Sequence, residues 1–149
     1  MKFIAAIAAI VVAAVANAQS FTNCATGITD MTVTSFSVNP YPLCVGQNVC
    51  ATVGGTLATP IISPAKLSVT GRYLGRIVYT DNQDLCTVLA ASGVPCPVPV
   101  SVTSVTACVL VKPTAPANIP VQLTILATNG NNHILFCQAA TVTAAQCPV

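Results

Sequence analysis

The stretch LSVTGRYLGRIVY, Leu67 to Tyr79, decides the fold class of this chain. Read at a period of two, one face carries Leu67, Val69, Gly71, Tyr73, Gly75, Ile77 and Tyr79, and the other Ser68, Thr70, Arg72, Leu74, Arg76 and Val78. This alternation predicts one long half-buried β-strand. A helix would need its apolar residues three or four apart, and would hold Gly71 and Gly75 in its interior at a cost of about 1 kcal/mol each. Two glycines on the inward face predict unfilled volume beside Tyr73 and Tyr79. Arg72 and Arg76, with Lys66 just upstream, point outward as solvated charges.

Working outward, the flanking segments alternate in the same way. Met31 and Val33 keep one phase and Phe36 and Val38 the other, which predicts a bulge near Thr34-Ser35. Asn39-Pro40-Tyr41-Pro42 ends that strand, because two prolines remove ladder donors. Val49, Ala51 and Val53 begin a second strand that is expected to stop at Gly54-Gly55. After Tyr79, Thr80 to Asp84 reads as a polar turn, its aspartates suited to backbone hydrogen bonding, and Thr87 to Pro95 as a small apolar loop. Val98, Val100 and Val102 form one strand phase and Val105, Ala107, Val109 and Val111 the opposite one, with a break at Thr103-Ser104. Val121, Leu123 and Ile125 make the next strand, Asn129-Gly130 a hairpin turn, and Ile134 to Val142 the return. No helix of ordinary length is visible. Some seven short strands separated by turn signals describe one all-β domain, an antiparallel β-sandwich.

Lys2, the apolar run Ile4 to Val15 and Ala16-Asn17-Ala18 have the layout of a secretory signal peptide over residues 1–18, leaving a mature domain of residues 19–149. No later apolar run reaches the roughly 18 residues of a membrane span, so the mature chain is expected to be soluble, monomeric and secreted or lumenal. It keeps only Lys66, Arg72, Arg76 and Lys112 against Asp30, Asp81 and Asp84. Such sparse charge provides no basic stripe for nucleic acid. Hydrophobic residues make up 54% of the chain and charged ones 5%, more apolar side chain than a plain sandwich core requires.

All eight cysteines lie beyond residue 18, and in an oxidising compartment an even count reads as a disulfide framework. Cys44 and Cys50 are close enough in sequence to staple a tight loop, and Cys86 and Cys96 invite a second local bridge. There is no C-x-x-C and a single histidine, His133, so no metal site or cofactor is expected. No G-x-S-x-G elbow or pair of carboxylates suggests catalysis, and the chain is not expected to be an enzyme.

Taken together, Phe21-Thr22-Asn23-Cys24, Ser37-Val38-Asn39-Pro40, the Cys44/Cys50 pair, Asp84-Leu85-Cys86, Cys96-Pro97, Ile119-Pro120-Val121 and Leu135-Phe136-Cys137 resemble the ML (lipid-recognition) domain family. That family includes fungal phosphatidylglycerol/phosphatidylinositol transfer proteins, Niemann-Pick type C sterol carriers and mite group-two allergens. The G-x-Y-x-G-x-I-V-Y run with D-L-C is most similar to the fungal branch. The resemblance implies an immunoglobulin-like sandwich whose sheets splay around a lipid cavity. It also implies bridges Cys24–Cys137, Cys44–Cys50 and Cys86–Cys96, which leaves Cys108 and Cys147 for a fourth.

From periodicity alone, Phe36, Val121, Leu123, Ile125 and Phe136 join the inward row Leu67, Val69, Gly71, Tyr73, Gly75, Ile77 and Tyr79 as ordinary core. The resemblance makes the same residues, with Leu110, the wall of a cavity for phospholipid or sterol, carried between membranes through transient membrane contact, outside the cell or in the vacuole lumen. Leucine at Gly71 or Gly75 is then expected to reduce lipid uptake and spare the fold. The rival reading is a small secreted effector-like or allergen-like interaction protein with a closed core.

Overall fold

The computed structural model describes residues 20–148, so the signal peptide expected over residues 1–18 lies outside the described residues. Eight strands and one short helix follow in order: β1 Thr22–Asn23, β2 Met31–Asn39, β3 Asn48–Leu57, β4 Lys66–Tyr73, β5 Arg76–Asp84, α1 Leu85–Ala91, β6 Ser104–Leu110, β7 Pro120–Thr128 and β8 Ile134–Thr143. They form two antiparallel sheets, ordered β1-β8-β7-β4-β5 and β2-β3-β6. The sheets face one another as a sandwich, and β5 and β6 are edge strands. Among the described residues no helix is long and apolar enough to cross a membrane.

The stretch 67–79 is a hairpin and not one strand. Leu74 and Gly75 form its two-residue turn with φ of 50° and 79°, so that Tyr73 pairs with Arg76. Positive φ at both positions is the type I′ geometry that matches strand twist. Asparagine or aspartate commonly holds the first position, and leucine there hides the turn. A register shift follows, with Gly71 opposite Tyr79 but Arg72 opposite Ile77. Val78 is the extra residue, and the bulge turns Ile77 to the outer face beside Arg72. Turn and bulge together return Tyr79 to the inner face, and the continuous alternation in the sequence comes from these two breaks.

Other expectations shift for similar reasons. β2 carries a register shift between Val33 and Ser35, where its change of phase places one. β3 runs through Gly54 and Gly55 to Leu57. A Cβ at Gly55 would overlap the Thr32 carbonyl and one at Gly54 the Ser35 hydroxyl, so these glycines let the backbones approach at the bulge. The expected turn at 80–84 is the continuation of β5. Its last residue, Asp84, caps α1 by accepting from the Thr87 amide at 3.1 Å. The expected apolar loop is largely that helix, which buries Leu85, Val88 and Leu89. The expected strand at 98–102 is absent. Val98 makes a single bridge with Ile61, and regular pairing begins at Ser104.

Disulfides join Cys24 to Cys137, Cys44 to Cys147, Cys50 to Cys108 and Cys86 to Cys96. The first and last are pairings that the family resemblance implies. Cys44–Cys50 and Cys108–Cys147 are not formed. Cys50 lies directly across from Cys108 in the β3–β6 ladder, with a Cα–Cα distance of 4.0 Å. Cys44 bridges to the tail at Ala145, which brings Cys147 beside it.

One end of the sandwich is tied by a buried carboxylate. Asp30 accepts from Asn129 Nδ2 at 2.9 Å, Asn131 Nδ2 at 3.1 Å and His133 Nδ1 at 3.1 Å, and Asn129 Oδ1 accepts from the Ile62 amide at 2.9 Å. Burial opposes ionisation of Asp30, but these donors outweigh it and hold the pKa at about 2. Thr59 also faces the carboxylate. Its buried hydroxyl has no partner at hydrogen-bond geometry, so the three nitrogen donors carry the effect. His133, just before β8, is exposed and serves this network.

Candidate functional site: an apolar cavity between the sheets

The inward positions of both sheets come from period-two alternation: Val49, Ala51 and Val53 of β3 and Val105, Ala107 and Val109 of β6 face Leu67, Val69, Val121, Leu123 and Ile125 of the larger sheet. Their surfaces do not close completely. The space open to the centres of water-sized spheres is about 110 Å³, several times the roughly 10–15 Å³ that one water occupies by that measure. Phe36 and Phe136 line one side with Phe21, their rings stacked in a tilted series with centroids 4.8 and 6.3 Å apart. Leu110, Ala115 and Pro116 line it where β6 runs into the following loop.

Two devices connect the edge strands β5 and β6 of the facing sheets. At one end is α1, whose Leu85 and Leu89 join the cavity wall. Toward the other end, Lys112 reaches across from the loop after β6. Its Nζ lies 3.3 Å from Asp81 Oδ1 and donates to the Thr80 carbonyl at 2.9 Å, and its amide donates to Tyr79 Oη at 3.3 Å.

Of the residues expected to line a cavity, nine are brought together: Phe36, Leu67, Val69, Tyr79, Leu110, Val121, Leu123, Ile125 and Phe136. Gly71, Tyr73, Gly75 and Ile77 are not among them. Gly71 faces inward, but a Cβ there would lie 2.8 Å from Val121 Cγ1 and 3.1 Å from Tyr79 Cβ, so neighbouring side chains already occupy the space. Gly75 is at the hairpin turn with open surroundings, Tyr73 borders the same turn, and Ile77 is on the outer face and exposed. Sequence reasoning missed most of the β3 and β6 wall as site residues, although their alternation was plain. It also missed Asp81, which is 3% exposed on the inner face of β5. Tyr79 and Asp81 are two apart in one strand, and that spacing was the available signal.

Two antiparallel sheets enclosing an apolar cavity with almost no polar group in its wall define a hollow β-sandwich. A family model described as the ML domain matches residues 18–144, and the chain belongs to that family. Among solved structures, a Niemann-Pick type C2 protein from Japanese carpenter ant is similar at a TM-score of 0.64 and 12% identity, over 84% of this chain and 98% of that one. The C-terminal domain of wzt is similar at a TM-score of 0.54 and 11% identity, over 89% of this chain and 81% of that one. At such identities these two likenesses concern the fold. No curated protein matches the sequence significantly.

Proposed function

We propose that this protein is a secreted or lumenal lipid carrier that encloses the tails of a phospholipid or sterol between its sheets and moves them between membranes. The observation that carries this reading is the cavity: of its wall residues, only Tyr41, Tyr79 and Asp81 bear a polar side-chain atom. Such a wall has few groups to hold water and offers an acyl chain the surroundings of a bilayer interior. A chain of about 16 carbons, at about 0.8 kcal/mol per buried CH₂, gains roughly 13 kcal/mol on leaving water. A membrane offers the same, so a protein that matches it exchanges lipid without an energy source. Four disulfides suit an oxidising compartment.

Organic extraction of the purified protein followed by mass spectrometry tests the reading, together with transfer of labelled lipid between donor and acceptor vesicles. Near-stoichiometric bound lipid and accelerated transfer are expected. A protein that carries none and moves none after incubation with vesicles is instead a closed-core interaction protein.

A further inference from the structure

A carboxylate is an expensive group to place in an apolar wall. Asp81 is 3% exposed and lines the cavity. The two side-chain donors that reach it, Lys112 Nζ at 3.3 Å and Gln83 Nε2 at 3.0 Å, both engage Oδ1, whereas a carboxylate offers about four acceptor sites over its two oxygens. Fastening the loop at Lys112 does not explain an inward carboxylate. The flanking Thr80 and Asn82 are exposed, and an aspartate at either position would meet a lysine from the solvent side. Tyr79, one step along the same face, also lines the cavity, and its Oη accepts from the Lys112 amide.

We propose that Asp81 is the specificity-determining contact of the cavity and selects an uncharged lipid whose polar end donates a hydrogen bond, a hydroxyl above all, over a fatty-acid anion. This assignment rests on the lipid-binding reading and deepens it. An ionised carboxylate only accepts, so a hydroxyl meets it, an ether offers it nothing, and a second carboxylate is repelled by it at short range, while the Lys112 ammonium is already engaged by Asp81 Oδ1 and the Thr80 carbonyl. Because Lys112 reaches Asp81 from the surface, the hydroxyl sits at the β5–β6 seam and the alkyl chain runs inward toward Phe36 and Phe136.

Displacement of the uncharged fluorophore N-phenylnaphthylamine by dodecan-1-ol, its methyl ether and dodecanoate tests this at a pH where the acid is ionised. For the wild-type protein the alcohol is expected to bind roughly tenfold more tightly than the ether or the anion, the scale of one hydrogen bond to a charged group. Asp81→Asn keeps an acceptor and adds a donor, and is expected to bring dodecanoate to within about twofold of the alcohol. Equal binding of all three by the wild-type protein overturns the assignment whatever the variant does, as does an unchanged ranking in a folded Asp81→Asn, while both leave the lipid reading standing. If none of the three displaces the fluorophore, the lipid reading falls and the assignment with it.

Discussion

Alanine at Gly71 probes how tightly the sheet is packed beside the cavity. Its Cβ would sit 2.8 Å from Val121 Cγ1 and 3.1 Å from Tyr79 Cβ, both closer than ordinary van der Waals contact. Neither neighbour is the free end of a flexible chain: Tyr79 Cβ is fixed to its backbone, and the Val121 methyl is stiff at χ1 in a residue 6% exposed. Overpacking of this kind costs about 1–3 kcal/mol, against a gain of about 0.4–1 kcal/mol from stiffening the unfolded chain. Gly71→Ala is therefore expected to destabilise by about 1–2 kcal/mol, read as a lower guanidinium midpoint at constant slope. Val121→Ala removes the closest offending atom. It destabilises on its own, but the double variant is expected to be more stable than the sum of the two by about 1–2 kcal/mol. An alanine at Gly71 that is neutral or stabilising and shows no coupling to Val121 would refute the packing argument and restore the open volume that the sequence suggests.

Acid titration of stability should reveal Asp30. Its folded pKa of about 2 lies below the unfolded value near 3.8, so about 2 kcal/mol is present above pH 4 and is lost as the pH falls toward 2. Asp30→Asn should lose most of that at neutral pH and show a flatter denaturation profile across the same window. At the β4–β5 turn, Leu74 is 84% exposed with φ of 50°. Leu74→Asn should raise stability by about 0.5–1 kcal/mol, whereas Gly75→Ala should lower it by about 1 kcal/mol and leave alkyl-ligand affinity unchanged. Peptide mapping without reduction should recover Cys44 linked to Cys147 and Cys50 linked to Cys108. Recovery of a Cys44–Cys50 peptide would contradict the fold at that end.

The sandwich was legible because alternation survives in nearly every strand, and the bulge in β2 announced itself by a change of phase between Val33 and Phe36. What escaped were compensating irregularities. The turn at Leu74-Gly75 and the bulge at Val78 each shift the pattern, and together they cancel, so two strands read as one and Ile77 was assigned to the wrong face. The disulfides of Cys44 and Cys50 were illegible for another reason. Their partners follow from which strands are neighbours, and nothing local in the sequence orders β3 beside β6. Asp81 was hidden by composition, since an aspartate among Thr80, Asn82 and Gln83 has the look of a turn until the strand's continuation puts it inside.

The placement of the disulfides bears on how such an interior is reached. Cys24–Cys137 lies within the five-stranded sheet and Cys50–Cys108 within the three-stranded one, while Cys44–Cys147 ties a loop of one to the tail of the other. Each sheet is thus a reinforced plate, and beside the four places where the chain crosses from one sheet to the other, Cys44–Cys147 is the disulfide that joins the plates. Widening the gap between β5 and β6 breaks no strand ladder; it gives up the Lys112 contacts to Asp81, Thr80 and Tyr79 and apolar contact that an incoming alkyl chain replaces. For the carrier proposed above, uptake and unfolding are then separate events, with ladder amides expected to stay protected from hydrogen exchange while lipid exchanges far faster.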